Sequence, residues 1–245
     1  MDTLQELADI LRGSDNIVFF GGAGVSTESN IPDFRSEAGL YQAEHKYGYP
    51  PEIMLSHTFF EQRPQDFYRY YTNELIYKDA KPNPAHFALA KLEAMGKLKA
   101  VITQNIDGLH QQAGSKTVYE LHGSVLRNYC LNCGLKFGVD FILSAKGDVP
   151  HCPDCGSIVR PDVVLYEEAL DEKVLSAAQK AIAAADVLIV GGTSLVVYPA
   201  AGLLHWFRGR KLVLINKSAT DYDAKADLVI REPIGKTLEA VINFI

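Results

Sequence analysis

A chain of 245 residues suits one large domain, or one core domain carrying a smaller insert. Its 24 basic and 30 acidic residues leave a formal net charge of −6, which argues against direct nucleic-acid binding while leaving a local basic groove open. No stretch is long and apolar enough to span a membrane and the N-terminus lacks a signal-peptide pattern, so the expectation is a soluble, cytoplasmic protein without a membrane partner.

The first residues, DTLQELADILRG, read as an amphipathic helix: Leu4, Leu7, Ile10 and Leu11 share a face, Thr3 with Glu6 fits a capping box, and Gly13 is a stop. NIVFFGG (16–22) is a short apolar run ending in glycine, the mark of a buried strand. Residues 83–98 read as a helix with Asn83 as N-cap, Pro84 at the first helical position and Gly96 at the end. AVITQN (100–105) and TVYELHG (117–123) are strands. RPDVVLYEE (160–168) is β-prone, residues 171–185 are helical, and DVLIVGGTS (186–194) is a strand running into a glycine turn. SLVVYP (194–199) is β-prone, AAGLLHWFRG (200–209) helical, KLVLINKS (211–218) and DLVI (227–230) strands, and 235–245 a closing helix.

Short apolar runs alternating with helical patterns mean α/β architecture with a parallel sheet buried on both faces. Two stretches break the rhythm. Residues 36–80 are rich in Tyr, Phe, His and Pro and read as a helical insert, and 124–160 carry every cysteine. The two inserts are expected to form one small lobe. The larger nucleotide-binding lobe then takes 1–35, 81–123 and 161–245, with a substrate cleft between the two.

Cys130-x-x-Cys133 and Cys152-x-x-Cys155 are separated by 18 residues, which is zinc-ribbon spacing. Four thiolates fill a tetrahedral shell, so such a zinc is structural and leaves no vacancy for His122 or His151. Two redox dithiols, or independent thiols, are the other readings of the four cysteines.

The glycine turn after the first strand, Gly22-x-Gly24, lets the backbone approach a pyrophosphate at a helix N-terminus. As a dinucleotide fingerprint it is incomplete. Thr27 stands where the third glycine belongs, and no strand ends in an acid about 20 residues on. Pro32-Asp33-Phe34-Arg35 follows instead. A plain strand-to-helix turn is the alternative. A second turn, GGTS (191–194), brings the Thr193 and Ser194 hydroxyls to another strand end, Asn216 ends a third strand, and TQNID (103–107) a fourth. Polar groups gathered at the carboxyl ends of parallel strands mark a ligand site.

Taken together, Gly22-Ala23-Gly24-Val25-Ser26, Pro32-Asp33-Phe34-Arg35, Thr103-Gln104-Asn105-Ile106-Asp107, His122-Gly123, the four cysteines, Gly192-Thr193-Ser194 and Asn216 resemble the sirtuin family of NAD-dependent protein deacylases, in its compact prokaryotic form. The resemblance implies a Rossmann-like lobe, a zinc-and-helix lobe, NAD as co-substrate, structural zinc, and acetyl-lysine proteins or peptides as partners. It implies that Gly22, Ala23, Gly24, Thr27, Asp33 and Arg35 line the NAD phosphates and ribose, and that Phe34 covers the nicotinamide pocket. Gln104 and Asn105 would order the ribose and a nearby water, with Asn105 also catalytic. Ile106 and Asp107 would hold the carboxamide. Gly192, Thr193, Ser194, Asn216, Lys217 and Ala226 would meet the adenosine half. Asn30 departs from the glycine common in the family, and Asn tolerates left-handed backbone.

The implied reaction is attack of the acyl oxygen on C1′ of the nicotinamide ribose as nicotinamide leaves. A base then activates a ribose hydroxyl, giving free lysine and O-acetyl-ADP-ribose. A neutral histidine suits that base at pH 7, and His122 is the candidate. An extended peptide would add as a strand between Val163, Val164, Leu165, Tyr166 and Glu167 on one side and the Leu195–Tyr198 segment, with Val196, on the other. Relatives that take succinyl or malonyl groups carry a Tyr-x-x-Arg pair in the helical insert. Here Tyr68 is present but Tyr71 replaces the arginine, which favours uncharged acyl groups. A mono-ADP-ribosyltransferase and a non-catalytic NAD- or ADP-ribose-binding module are the competing readings.

Overall fold

The computed structural model describes residues 3–33 and 44–245. Six strands form one parallel sheet: β1 (Ile17–Gly21), β2 (Leu98–Thr103), β3 (Val118–Glu120), β7 (Val187–Gly191), β8 (Lys211–Ile215) and β9 (Leu228–Ile230), in spatial order β3-β2-β1-β7-β8-β9. β1 is IVFFG and buried along its whole length, as a central strand covered on both faces must be. One face packs under the helices Thr3–Arg12, Pro84–Ala94 and Ile234–Ile242, the other under the helix Glu172–Ala184. The chain leaves β1 toward β2 on one side and resumes at β7 on the other, so the order reverses between β1 and β7. That reversal puts a crevice at their carboxyl ends.

Local signals set the helix ends. Asn83 Oδ1 accepts from the Ala85 amide (2.9 Å), and His86 Nδ1 accepts from the Asn83 amide (3.2 Å), a reciprocal cap with histidine in the usual Glu position. Asp171 accepts from the amides of Lys173 and Val174 at 2.8 and 3.0 Å. Asn30 adopts φ 61°, so asparagine does fill the left-handed position.

The inserted segments share a second core. Helices Pro51–Met54, His57–Gln62 and Pro64–Glu74 pack Phe60, Phe67, Tyr68 and Tyr71 against Val125, Ile142, Val159 and Val163. These last residues surround an antiparallel sheet of β4 (Gly123–Cys130), β5 (Lys136–Gly138) and β6 (Val159–Val163), in order β5-β4-β6. Among the described residues no helix is long and apolar enough to cross a membrane.

Four sequence expectations need correction. Thr3 is already helical, so it is not the N-cap. The strand expected over 117–123 stops at Glu120, leaving His122 in the turn between β3 and β4. SLVVYP forms no strand: Leu195 takes φ 58° and Pro199 lacks an amide for a ladder. Residues 200–206 form a 3₁₀ helix, in which Gly202 weakens the α-helical alternative.

Candidate active site

The two glycine turns meet at the crevice. The Gly24 amide donates to the Gly192 carbonyl at 2.8 Å. A Cβ on Gly24 would lie 2.8 Å from the Gly192 Cα, and one on Gly22 would lie 2.9 Å from the Thr193 Cβ. A Cβ on Gly192 would approach the Val25 nitrogen to 2.4 Å, at a φ of +60°. These glycines are therefore required by turn-on-turn packing, before any ligand is considered.

Around them runs a polar network. Asn216 Oδ1 accepts from the Thr193 amide (3.0 Å) and its Nδ2 donates to the Thr193 carbonyl (2.9 Å), fixing that turn from behind. Gln104 Nε2 donates to Thr193 Oγ1 (3.0 Å), linking the β2 end to the β7 end. Asn105 Nδ2 donates to Ser26 Oγ (3.0 Å), which donates to Asp107 Oδ2 (2.7 Å). Burial raises the Asp107 carboxyl above its ordinary value, opposed by Ser26 and by the Leu109 amide. Asp107 also supplies the bond at the start of the helix Leu109–Gln112, accepting from the Leu109 amide at 2.9 Å. Ser26 is a member that motif-by-motif reading left without a role. Its position four residues after Gly22 was the available signal.

His122 sits beside this network. Its Nδ1 lies 2.9 Å from the Gln104 carbonyl oxygen, and its own carbonyl accepts from the Val164 amide at 3.0 Å. Gly123, at φ +75°, turns the chain directly into β4, and a Cβ there would sit 2.0 Å from the Asp162 oxygen.

A cavity of about 310 Å³ joins these parts. Gly22, Ala23, Gly24, Asp33, Gln104, Asn105, Ile106, Asp107, His122, Gly192, Thr193 and Ser194 line it, as do Val163, Val164, Leu165, Tyr166 and Glu167. Thr27 does not; its hydroxyl donates to the Gly24 carbonyl (3.0 Å). Asn216 lies buried behind Thr193, while Lys217, Ala226 and Val196 are also outside the lining. Phe34 and Arg35 lie outside the described residues. Tyr68 and Tyr71 are fully buried away from the cavity, Tyr68 donating to the Val159 carbonyl at 2.6 Å.

The wall after β6 is held from several directions. Glu168 accepts four bonds: from Arg160 Nη1 (2.7 Å) and Nη2 (3.0 Å), the Leu165 amide (2.9 Å) and His57 Nδ1 (2.9 Å). Burial alone would raise this carboxyl, but Arg160, Leu165 and His57 together hold it below its ordinary value. The Tyr166 amide donates to the Leu55 carbonyl and the Tyr166 carbonyl accepts from the His57 amide, each at 3.0 Å. The amides of Val164, Leu165 and Tyr166 are thus all engaged within the protein.

The four cysteine sulfurs lie within 4.8 Å of one another. Gly134 and Gly156, at φ +71° and +73°, close matching turns by donating to the carbonyls of Cys130 (3.0 Å) and Cys152 (2.9 Å). The amides of Cys133 and Asn132 draw the Cys130 thiol down, while the neighbouring cysteines push the Cys133 thiol up. Four thiolates this close repel one another, and a tetrahedral dication with Zn–S bonds of about 2.3 Å removes that repulsion. The cluster fits zinc and has no open position, so it is structural.

The Sir2 family model matches residues 22–199. A protein from Clostridium acetobutylicum named NAD-dependent protein deacetylase is 62% identical over 242 residues, covering 99% of both chains. A Clostridium perfringens protein of the same name is 61% identical over 243 residues, again covering 99% of both. A solved Sir2–peptide–NAD+ complex is 41% identical with a TM-score of 0.88, covering 98% of this chain and 97% of its own. A Sir2 bound to acetylated peptide is 39% identical with a TM-score of 0.86, at the same coverage.

Proposed function

The chain belongs to the Sir2 family, and from that premise we propose that it removes acetyl groups from protein lysine side chains, with NAD as co-substrate and His122 as general base. It is an NAD-dependent protein deacetylase that carries a structural zinc site. In this reading the lobe built on the six-stranded parallel sheet holds NAD, and the helices between Pro51 and Glu74 with β4, β5 and β6 form the lobe that shapes the peptide side.

The observation that carries the reading is the position of His122. Its ring is anchored through Nδ1 to the Gln104 carbonyl, in a cavity lined by both glycine turns and by the wall after β6. NAD supplies an electrophilic ribose carbon and nicotinamide as leaving group. The chain's own residues then orient and deprotonate. The turns at Gly22–Gly24 and Gly192–Ser194 seat the nucleotide, with Asn216 stiffening the second of them. Asn105, Ser26 and Asp107 form a chain of bonds that positions polar groups for the nicotinamide carboxamide and ribose. A carbonyl oxygen only accepts, so Nδ1 of His122 bears the proton and Nε2 the lone pair that takes a proton from a ribose hydroxyl.

The described cavity lining contains no lysine or arginine that would pair with a dicarboxylic acyl group, which favours acetyl and other uncharged acyl groups. A cytoplasmic location suits the chemistry: NAD is available there, and a reducing milieu keeps four thiols free for zinc. The test is incubation with an acetyl-lysine peptide with and without NAD, following peptide mass and nicotinamide release. NAD-dependent loss of acetyl is expected. Label retained on protein would instead indicate ADP-ribosyl transfer, and binding without turnover a non-catalytic module.

A further inference from the structure

The cleft carries a charge pattern that acetyl removal itself does not use. Five of its described lining residues are acidic, and none is lysine or arginine. Asp107 is tied to Ser26 and the Leu109 amide, Glu168 is saturated by four bonds, and Asp33 closes the segment after the first glycine turn, on the nucleotide side. Glu52 and Glu167 remain, on the two lining segments that the Tyr166–Leu55 backbone bond ties together.

Glu167 is held in an unusual way. It adopts φ +75°, a region that favours glycine, and this turns its side chain toward the helix His57–Gln62. There its Oε2 accepts from the Thr58 amide (2.9 Å) and the Thr58 hydroxyl (2.7 Å). Those bonds hold the carboxyl below its ordinary value, so it is ionised at neutral pH. Its other oxygen makes no hydrogen bond among the described residues. Exposed tyrosines stand on both sides of the cleft, Tyr166 beside Glu167 and Tyr198 after the second glycine turn, at 39% and 65% exposure. Carboxylate and tyrosine faces both favour a cation. The amides of Val164, Leu165 and Tyr166 are already engaged, so side chains do much of the reading along this wall.

We propose that Glu167, together with Glu52, makes the enzyme select acyl-lysine peptides that carry lysine or arginine close to the modified residue. This rests on the deacetylase reading above and narrows its substrates to basic segments. Acylation neutralises the target lysine, so attraction to an acidic cleft must come from neighbouring cations. The net charge of −6 acts in the same direction at longer range.

The experiment uses the zinc-loaded full chain and acetyl-lysine peptides identical except that the residues flanking acetyl-lysine are arginine, glutamine or glutamate. At low salt kcat/KM is expected to favour arginine over glutamate by about tenfold, a ratio that shrinks as salt is raised. Glu167→Gln and Glu167→Gly should each reduce that ratio about three- to fivefold, and Glu52→Gln added to either should bring it near one. Glycine adopts positive φ readily, so Glu167→Gly tests the charge even if Glu167→Gln disturbs the turn. Equal efficiency on all peptides, or a ratio unchanged in both Glu167 variants, overturns the selection while leaving the deacetylase intact. No acetyl loss and no nicotinamide release from any peptide overturns the deacetylase reading, and this one with it.

Discussion

The Nδ1 of His122 lies 2.9 Å from the carbonyl oxygen of Gln104, two residues ahead of Ile106 in the loop that leaves β2. This bond ties the ring to the strand end that also supplies Asn105 and Asp107. The orientation of the His122 ring and the order of that strand end are therefore one structural property. His122→Ala is expected to lower the rate of acetyl removal by about 10²- to 10⁴-fold. Its unfolding midpoint should stay close to the parent's, because the ring is only part-buried. Peptide mass after timed incubation reads the first effect and thermal unfolding the second; a retained rate removes His122 as the base.

Gly192 and Gly96 both take positive φ, but only Gly192 is crowded. Gly96→Ala meets nothing within 4 Å and should cost about 1 kcal/mol through backbone strain alone. Gly192→Ala adds a clash with the Val25 nitrogen and should cost about 3 kcal/mol and weaken NAD binding. Urea unfolding with NAD titration compares the two; equal costs would show that the turns can separate.

Removing the metal should unfold the small lobe and abolish activity together, because Cys130, Cys152 and the Tyr68 side chain belong to one core. Cys152→Ala should have the same effect. Circular dichroism, thiol titration and zinc content report it. A chelated protein that keeps its thermal midpoint would refute a structural role.

His86 and His110 are buried with ring centroids 4.7 Å apart. Burial depresses them to about 4 and about 3, and Glu28 and the neighbouring ring respectively are lesser influences. In the unfolded chain both titrate near 6.5, so below that pH the unfolded state binds more protons. Stability should therefore fall as pH drops from about 6.5 toward 4, by about 1.4 kcal/mol per pH unit for each histidine. His110→Leu loses no hydrogen bond made by the ring nitrogens among the described residues, and should flatten that slope. Urea midpoints between pH 5 and pH 8 for parent and variant, zinc-loaded, measure it; parallel slopes would place the acid sensitivity elsewhere.

Glu168→Gln leaves the Arg160 guanidinium, which is largely buried, without its carboxylate. A loss of about 3 kcal/mol in stability is expected, with a rise in peptide KM that exceeds any change in the KM for NAD. Steady-state kinetics with each substrate varied in turn separates the two. Equal rises in both would make the pair a general prop and not a support of the peptide wall.

Much of this was legible in the chain itself. Runs such as VFFGG and VLIVGG show buried parallel strands because a strand covered on both faces needs no polar alternation. The cysteine spacing shows a closed metal shell because two short turns suffice to present four sulfurs. The helix start at Asn83 is local hydrogen-bond chemistry and is legible in the sequence, whereas the cap at Asp171 emerges only from the structure. SLVVYP is β-prone in composition, but no strand among the described residues pairs with it and Pro199 breaks the ladder. Residues 200–209 misled because helical periodicity does not separate an α-helix from a 3₁₀ helix.

The sequence by itself determined the α/β class, the four thiol ligands and the residue types of the site, since each depends on neighbours within a few positions. Only the tertiary structure decided how those residues combine. It packs Gly24 on Gly192, joins Ser26 to Asp107 across 81 positions, and sets the carbonyl of His122 on the amide of Val164. It also decides that Glu167 turns left-handed toward Thr58. These contacts depend on which strand ends become neighbours. That order is fixed by burial of both faces of one sheet and by the second core, a property of the whole chain and not of any segment.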